Sequence, residues 1–494
     1  MRRLRWIAAV CLPLGIGLAG CGLTRPPATV EAPFPAQWHA PLPHGGSVAS
    51  LADWWRQLDD PLLVELIAAA EAASPNLASA AARVAEARST RVQAGAALLP
   101  NLDGTLSASR GVSGSSFGAG GTTASSSTSA IAPVTTLQAG LQSKWEIDLF
   151  GRLRADRDSA EQKLSSATAK WHDARVAVAA ETANAYFAER ACQQQLRVAE
   201  SDAKSRGETA RLTDLSARAG FTAPADAALA RASASDASGR LTQQRAQCAV
   251  QRKALVALSG IDEPTLEEKL ASSPAQRALP VVGSIASVPA EAISQRPDVY
   301  AAELGVASAS ADVGSAEAER YPKLSISGSI GRMQIRTSGF RASLDTWSIG
   351  PVSLTVPLLD GGARAANSDA AKARYTEAVS LYRANVRQAV REVEEALVNL
   401  DATDARATDA DSAVKNYQAS FDATQARYQS GLASLFELED SRRTLFAAQT
   451  ARVSLQRERA QAWVALYRSM GGGWTRAEST PMTSNPATKV ATSP

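Results

Sequence analysis

Two periodicities divide the chain. Thr135, Leu137, Ala139, Leu141, Ser143, Trp145, Ile147 and Leu149 hold one parity, while Thr136, Gln138, Gly140, Gln142, Lys144, Glu146 and Asp148 hold the other. One apolar and one polar side at period two predicts a strand. Leu102–Arg110 is its weaker partner, and the Gly, Ser, Ala and Thr run at 111–129 predicts a flexible loop between them. The pattern returns at Leu324–Ile330 and Trp347–Val356, across a shorter loop near Gly339. Elsewhere apolar residues recur at three and four. Val379, Tyr382, Val386, Ala389, Val393, Ala396 and Leu400 form one coiled-coil seam. Leu164, Ala167, Trp171, Ala174, Val178, Ala185, Ala188 and Cys192 form another, with Glu181 as the exception.

These elements occur in the same order twice. A helical hairpin over 152–259 turns at Ala219-Gly220-Phe221, and a second over 364–470 turns at Ser430-Gly431-Leu432. Gly220 precedes Arg231 by the same 11 positions that separate Gly431 from Arg442. Upstream, Pro75 and Pro100 lie 25 apart, as do Pro297 and Pro322. Such spacing marks a tandem duplication. The expected organisation is a first repeat at 61–260 with a strand hairpin at 102–149, a linker at 261–296, and a second repeat at 297–473 with a strand hairpin at 324–357. A polar tail at 474–494 is expected to be disordered.

Four strands cannot close a barrel, but three chains would supply an even number suited to a closed transmembrane one. The other reading is a soluble β-layer shared between domains. The helix predicted over 154–218 nearly matches in length the helices over 75–100 and 223–259 together, so one long helix would run beside two shorter ones stacked end to end. At the α-helical rise it reaches roughly 98 Å, deeper than a membrane.

The leader changes the compartment. Arg2, Arg3 and Arg5 precede the apolar run 6–18, too short to span a bilayer comfortably, and Leu18-Ala19-Gly20-Cys21 comes next. Residues 1–20 read as a signal peptide. Small residues before Cys21 resemble a bacterial lipobox, which implies lipidation of Cys21; an ordinary signal peptide with an incidental cysteine is the alternative. Gly22 after it resembles an outer-membrane sorting signal. Residues 21–60 form a proline-rich, extended tether ending in Trp54 and Trp55, read as packing anchors before a ligand platform. A net charge of +3 is too small to argue for nucleic acid. No later apolar run is long enough to cross a bilayer as a helix.

Asp53-Trp54-Trp55…Asp60-Pro61, Trp145-Glu-Ile-Asp-Leu-Phe-Gly-Arg152, Leu359-Asp-Gly-Gly362 with Arg364, Arg427-Tyr-Gln-Ser-Gly431 and Met470-Gly-Gly-Gly-Trp474 together resemble the TolC-like outer-membrane efflux factors. The nearest subclass is the NodT-type lipoprotein exit duct of RND-type tripartite pumps. The resemblance covers nearly all of the mature chain. It implies a homotrimer whose twelve-stranded transmembrane β-barrel continues into a long periplasmic α-helical barrel, anchored in outer-membrane lipid. A periplasmic adaptor and an inner-membrane RND transporter are the implied partners, and no cofactor is implied. The implied function is passive exit of drugs or other small toxic compounds. An exit duct for secreted polypeptides shares the fold, and a structural coiled-coil lipoprotein is a third reading, opposed by the alternating strands.

With Cys11 removed and Cys21 lipidated, Cys192 and Cys248 remain, and Gly220 is their midpoint. In an antiparallel hairpin they stand at one height, on the seams, in an oxidising compartment. A Cys192–Cys248 disulfide is expected, against two buried free thiols. In a duct the hairpin tips face away from the membrane, so adaptor docking is expected at Gly220, Phe221, Thr222, Gly431, Leu432, Ala433 and Ser434, although the glycines also serve the turns. The resemblance further implies a periplasmic gate at Tyr428, Asp440 and Arg443. The last two, at i and i+3, also fit a plain surface pair. His39, His44 and His172 lack metal-ligand spacing, and no nucleophile elbow, phosphate loop or dinucleotide fingerprint accompanies the pattern, which argues against an enzyme. Beyond the leader only Met333, Met470 and Met482 remain, too few for soft-metal specificity.

Overall fold

The structure, a computed structural model, describes residues 23–32, 55, 58, 60–112, 133–273, 293, 296–337, 340–474 and 476. The leader, Cys21, most of the tether, the loops 113–132 and 338–339, and the tail beyond Arg476 lie outside them. Helices α1 (Pro61–Ala73) and α2 (Pro75–Ala96) lead into strands β1 (Asn101–Gly111) and β2 (Val134–Ile147), followed by the hairpin α3 (Arg152–Arg218) and α4 (Pro224–Ser259). A short α5 (Glu263–Ser272) precedes the second series of α6 (Pro297–Ala318), β3 (Lys323–Thr337), β4 (Phe340–Thr355), α7 (Ala363–Gln429) and α8 (Leu435–Ser469).

The elements form two compact units, each drawing on both repeats. The first (1–30, 85–164 and 303–380) contains one antiparallel sheet of order β1-β2-β3-β4. Its register sets Leu106 beside Ala139, Leu141 beside Ile330, and Ile330 beside Trp347, all on one face. Asp103, Gln142, Ser329 and Ser348 share the other. The alternation seen in β2 therefore crosses all four strands in the helix-proximal half of the sheet. Residues 23–30 lie along its helices: the Pro26 carbonyl accepts from Ser310 Oγ at 2.5 Å, the Pro27 carbonyl from Tyr375 Oη at 2.9 Å, and Arg25 pairs with Asp158 at 3.2 Å.

Each strand-to-helix turn is held by an aspartate. Asp148 accepts from the backbone N–H groups of Leu153 and Arg154 at 3.1 and 2.9 Å, and Asp360 from those of Gly362 and Arg364 at 2.9 and 3.1 Å. Each carboxylate satisfies donors that a new helix leaves open. Those donors hold the Asp360 carboxyl below its ordinary range. Both aspartates come from the motifs that carry the family resemblance.

The second unit holds the main core. Leu63, Leu66, Ala183, Leu255, Leu266, Val393, Leu400 and Leu466 are fully buried and meet from six helices. Asp60 starts α1 by accepting from the Leu62 and Leu63 N–H groups, and its second oxygen accepts from Tyr186 Oη at 2.5 Å. Trp55 packs 4.6 Å from Tyr467 and edge-on to Trp463, a packing anchor as expected.

Several expectations shift. α2 ends at Ala96 and not at Pro100, closing with three-residue turns from Leu98 to Gly95 and Leu99 to Ala96; the residue before a proline disfavours helix. β3 runs on to Thr337, because pairing with β2 continues past Ile330 although Arg332, Gln334 and Arg336 break the apolar alternation. The second seam is buried from Tyr382 to Leu400. In the first, Ala167, Trp171, Ala174, Ala185 and Ala188 are only half-buried and Glu181 is exposed, while Val176, Ala179, Ala183 and Tyr186 carry the centre of the face. Alanine and a charge give too little contrast to fix that face within a residue or two. Trp474, placed with the tail by its position, is buried between His172 and Tyr300.

Candidate functional site

The two hairpin tips share one backbone geometry. At the first, Gly220 N–H donates to the Ala217 carbonyl and Phe221 N–H to Ser216. At the second, Gly431 N–H donates to Tyr428 and Leu432 N–H to Arg427. These are paired Schellman closures, and they need the positive φ of 83° at Gly220 and 74° at Gly431. The residue after each glycine points outward: Phe221 is 87% exposed and Leu432 71%. Thr222 Oγ1 bonds Ser216 Oγ at 2.6 Å, closing the first tip. Ser434 caps α8 in a capping box with Glu437, closing the second just after Ala433. Each tip thus presents one large apolar side chain on a rigid turn.

The expected gate residues fall into two places. Tyr428 sits inside the hairpin packing, against Ala210, Ala230 and Leu435, with its hydroxyl 3.1 Å from Thr213 Oγ1. Asp440 and Arg443 pair with each other at 2.5 Å on one helix face, 49% and 77% exposed. They line a cavity of about 480 Å³ that also touches Leu229, Ala232, Phe436 and Phe446. Counting from the tip glycines, Leu229 and Ala232 are the repeat counterparts of Asp440 and Arg443, so the duplication has become charged on one side only.

A buried ion network beneath the tips escaped the sequence reading. Arg206 Nε donates to Asp202 at 2.9 Å, and Arg206 Nη1 donates to Ser233 Oγ at 2.6 Å and to Glu439 Oε2. The other Glu439 oxygen accepts from Arg442 Nη1, and Arg442 Nη2 donates to Thr209 Oγ1 at 3.0 Å. The network joins both hairpins, and burial pulls the Arg442 pKa below its usual value. The matched spacing of Arg231 and Arg442 does not reveal it. Their fates differ: Arg442 is buried, whereas Arg231 pairs with Asp214 at the surface.

Cys192 and Cys248 are joined in the structure, with their Cα atoms 5.5 Å apart and Gln244 Nε2 3.2 Å from the Cys192 sulfur. The bond ties α3 to α4 well above the first tip.

A strand hairpin followed by a helical hairpin, repeated, is also the arrangement of a solved outer-membrane channel. The solved structure of the outer-membrane channel OprN matches with a TM-score of 0.77 at 28% identity, over 91% of this chain and 99% of that one. The model of the outer membrane efflux protein family matches residues 66–261 and 288–472, and the chain belongs to that family. The pyoverdine export outer membrane protein OpmQ of Pseudomonas aeruginosa is 32% identical over 96% of this chain and 97% of its own length. The solvent efflux pump outer membrane protein SrpC of Pseudomonas putida is 30% identical over 93% and 96%. The family is one of channel-type efflux proteins of the outer membrane, as the sequence motifs imply.

Proposed function

We propose that three copies of the chain close a twelve-stranded barrel and form the exit duct of a tripartite pump, anchored through a lipid on Cys21. The observation that carries this reading is the sheet: four long antiparallel strands whose helix-proximal half has one apolar and one polar face, with β1 and β4 at its two ends. Open strand edges of 11 and 16 residues call for partners, and closure through further copies supplies them. The apolar face would meet lipid and the polar face would line the lumen.

The duct conducts passively. Drugs or other small toxic compounds are the proposed cargo, in keeping with a relative named for solvent efflux. Phe221 and Leu432, on rigid tips, are the proposed contacts for a periplasmic adaptor that links the duct to an RND transporter. Asp440, Arg443 and Tyr428 are the proposed gate.

Single-channel conductance of detergent-extracted protein, measured with its native mass, tests the reading. A trimer with small, flickering conductance is expected, rising in Asp440→Ala and Arg443→Ala. A monomer without conductance would overturn the duct, and unchanged conductance in both variants would remove the gate assignment.

A further inference from the structure

The sheet register lines up a row of arginines that channel formation does not use. Arg110 of β1 stands opposite Thr135 of β2, Thr135 opposite Arg336 of β3, and Arg336 opposite Arg341 of β4. All three arginines are exposed, and all project on the apolar face that carries Leu106, Ile330 and Trp347. Arg336 and Arg341 face each other directly on adjacent strands, and like charges so placed repel. Among the described residues none of the three guanidinium groups has a carboxylate partner, and Arg336 donates only to Gln334 Oε1, at 2.8 Å. Four positions nearer the helices on the same strand, Arg332 does have an acid beside it, Asp345 at 3.6 Å. The outer row is therefore an uncompensated band of positive charge, separated from the apolar rows at and below Ile330 and Trp347 by the Arg332–Asp345 pair and by Gln334 opposite Ser343.

Its height is informative. From Leu324 at the helix end of β3 to Arg336 the strand rises roughly 40 Å, and a barrel strand tilted by about 40° converts this to roughly 30 Å along the membrane normal. That is the thickness of a hydrocarbon core. The other ends of all four strands lead to helices, so the arginine row lies at the hairpin end.

We propose that Arg110, Arg336 and Arg341 bind the phosphate groups of the glycolipid that forms the outer leaflet of the outer membrane. The proposal rests on the duct reading, which puts the helices in the periplasm and the strand hairpins at the outer surface. Guanidinium groups take phosphate in bidentate fashion, and a bridging phosphate between Arg336 and Arg341 turns their repulsion into attraction to a shared anion. In a closed barrel the β1 and β4 edges of neighbouring copies meet, so Arg341 of one copy approaches Arg110 of the next and the band becomes a ring.

The test is binding of bis-phosphorylated lipid A to full-length, delipidated protein in detergent, read by native mass spectrometry. Wild type should bind it, and dephosphorylated lipid A should bind about tenfold more weakly. The variant R110Q/R336Q/R341Q should lose the preference for phosphate, while Lys144→Gln on the polar face keeps it. The single variants Arg336→Gln and Arg341→Gln, which relieve a like-charge contact, carry the test if the triple variant does not assemble; each should weaken the preference. Equal binding of the two lipids by wild type, or an undiminished preference in the variants, overturns the proposal. Displacement of lipid A by millimolar inorganic phosphate would reassign the row to a free-anion site and overturn it as well. Native mass and conductance of the same wild-type sample report separately on the duct.

Discussion

Arg206 on the first hairpin and Glu439 on the second are joined by a largely buried ion pair that ties the two repeats together beneath their tips. Asp202 and Glu439 answer Arg206 and Arg442, so removing one acid leaves a largely buried cation short of a partner. Glu439→Ala should therefore destabilise the chain by about 3 kcal/mol. Thermal unfolding by circular dichroism measures it. The double variant R206A/E439A should be less damaged than the two single effects together, and strict additivity would show that the pair contributes no coupling.

The Cys192–Cys248 bond closes a loop with a sequence separation of 56, which spans the whole lower hairpin. In the chain-entropy account such a cross-link stabilises by about 4 kcal/mol. Reduction, or the double variant C192A/C248A, should lower the melting midpoint by several degrees. Denatured, unreduced protein should show neither cysteine to a thiol reagent, and labelling of both would disprove the bond.

The strand and helix pattern, the duplication and the tip glycines were legible because each has a local cause: period two, period three and four, and a left-handed turn. The capping aspartates Asp60, Asp148 and Asp360 were legible only as motif letters, and their work appears once the helix starts they serve are placed. The ion network was hidden for a different reason. Arg206, Ser233 and Glu439 lie far apart in sequence, and nothing in the periodicity of α3, α4 or α8 shows which charges turn inward. The arginine row was hidden likewise, since it exists only through a register across four strands.

Glu189 offers a pH test. It is wholly buried, with Oε1 accepting from Gln193 Nε2 at 3.1 Å and lying 3.7 Å from Arg252 Nε, and with Oε2 lacking a hydrogen-bond partner among the described residues. Burial outweighs these neighbours and pushes its pKa up from 4.5. A carboxyl raised in the folded state contributes stability that is fully present below its unfolded pKa and is lost as pH rises through the folded value. Glu189→Gln, neutral throughout, should raise the melting midpoint at pH 8 and leave it nearly unchanged at pH 4. A variant no more stable than wild type at pH 8 would refute the assignment.

Gly140 and Gly331 stand directly opposite each other where β2 pairs with β3, the seam between the two repeats of the sheet. A Cβ built on Gly331 would lie 2.6 Å from the Ala139 carbonyl oxygen, and one on Gly140 would lie 2.8 Å from that of Ile330. The obstacle in both cases is backbone, which no rotamer change relieves, so the strands must part or the row must lose its pairing. Gly331→Ala should destabilise the sheet by about 1–3 kcal/mol, the usual penalty of forcing a group into filled space. Gly104→Ala is the matched control, because its Cβ would meet only the Leu141 side chain at an ordinary 3.9 Å. The fraction of protein reaching the outer membrane in a protease-resistant form should fall for Gly331→Ala and hold for Gly104→Ala. Equal assembly of the two variants would mean that the β2–β3 seam tolerates separation, and that close approach there does not set the register on which the apolar wall and the arginine row both depend.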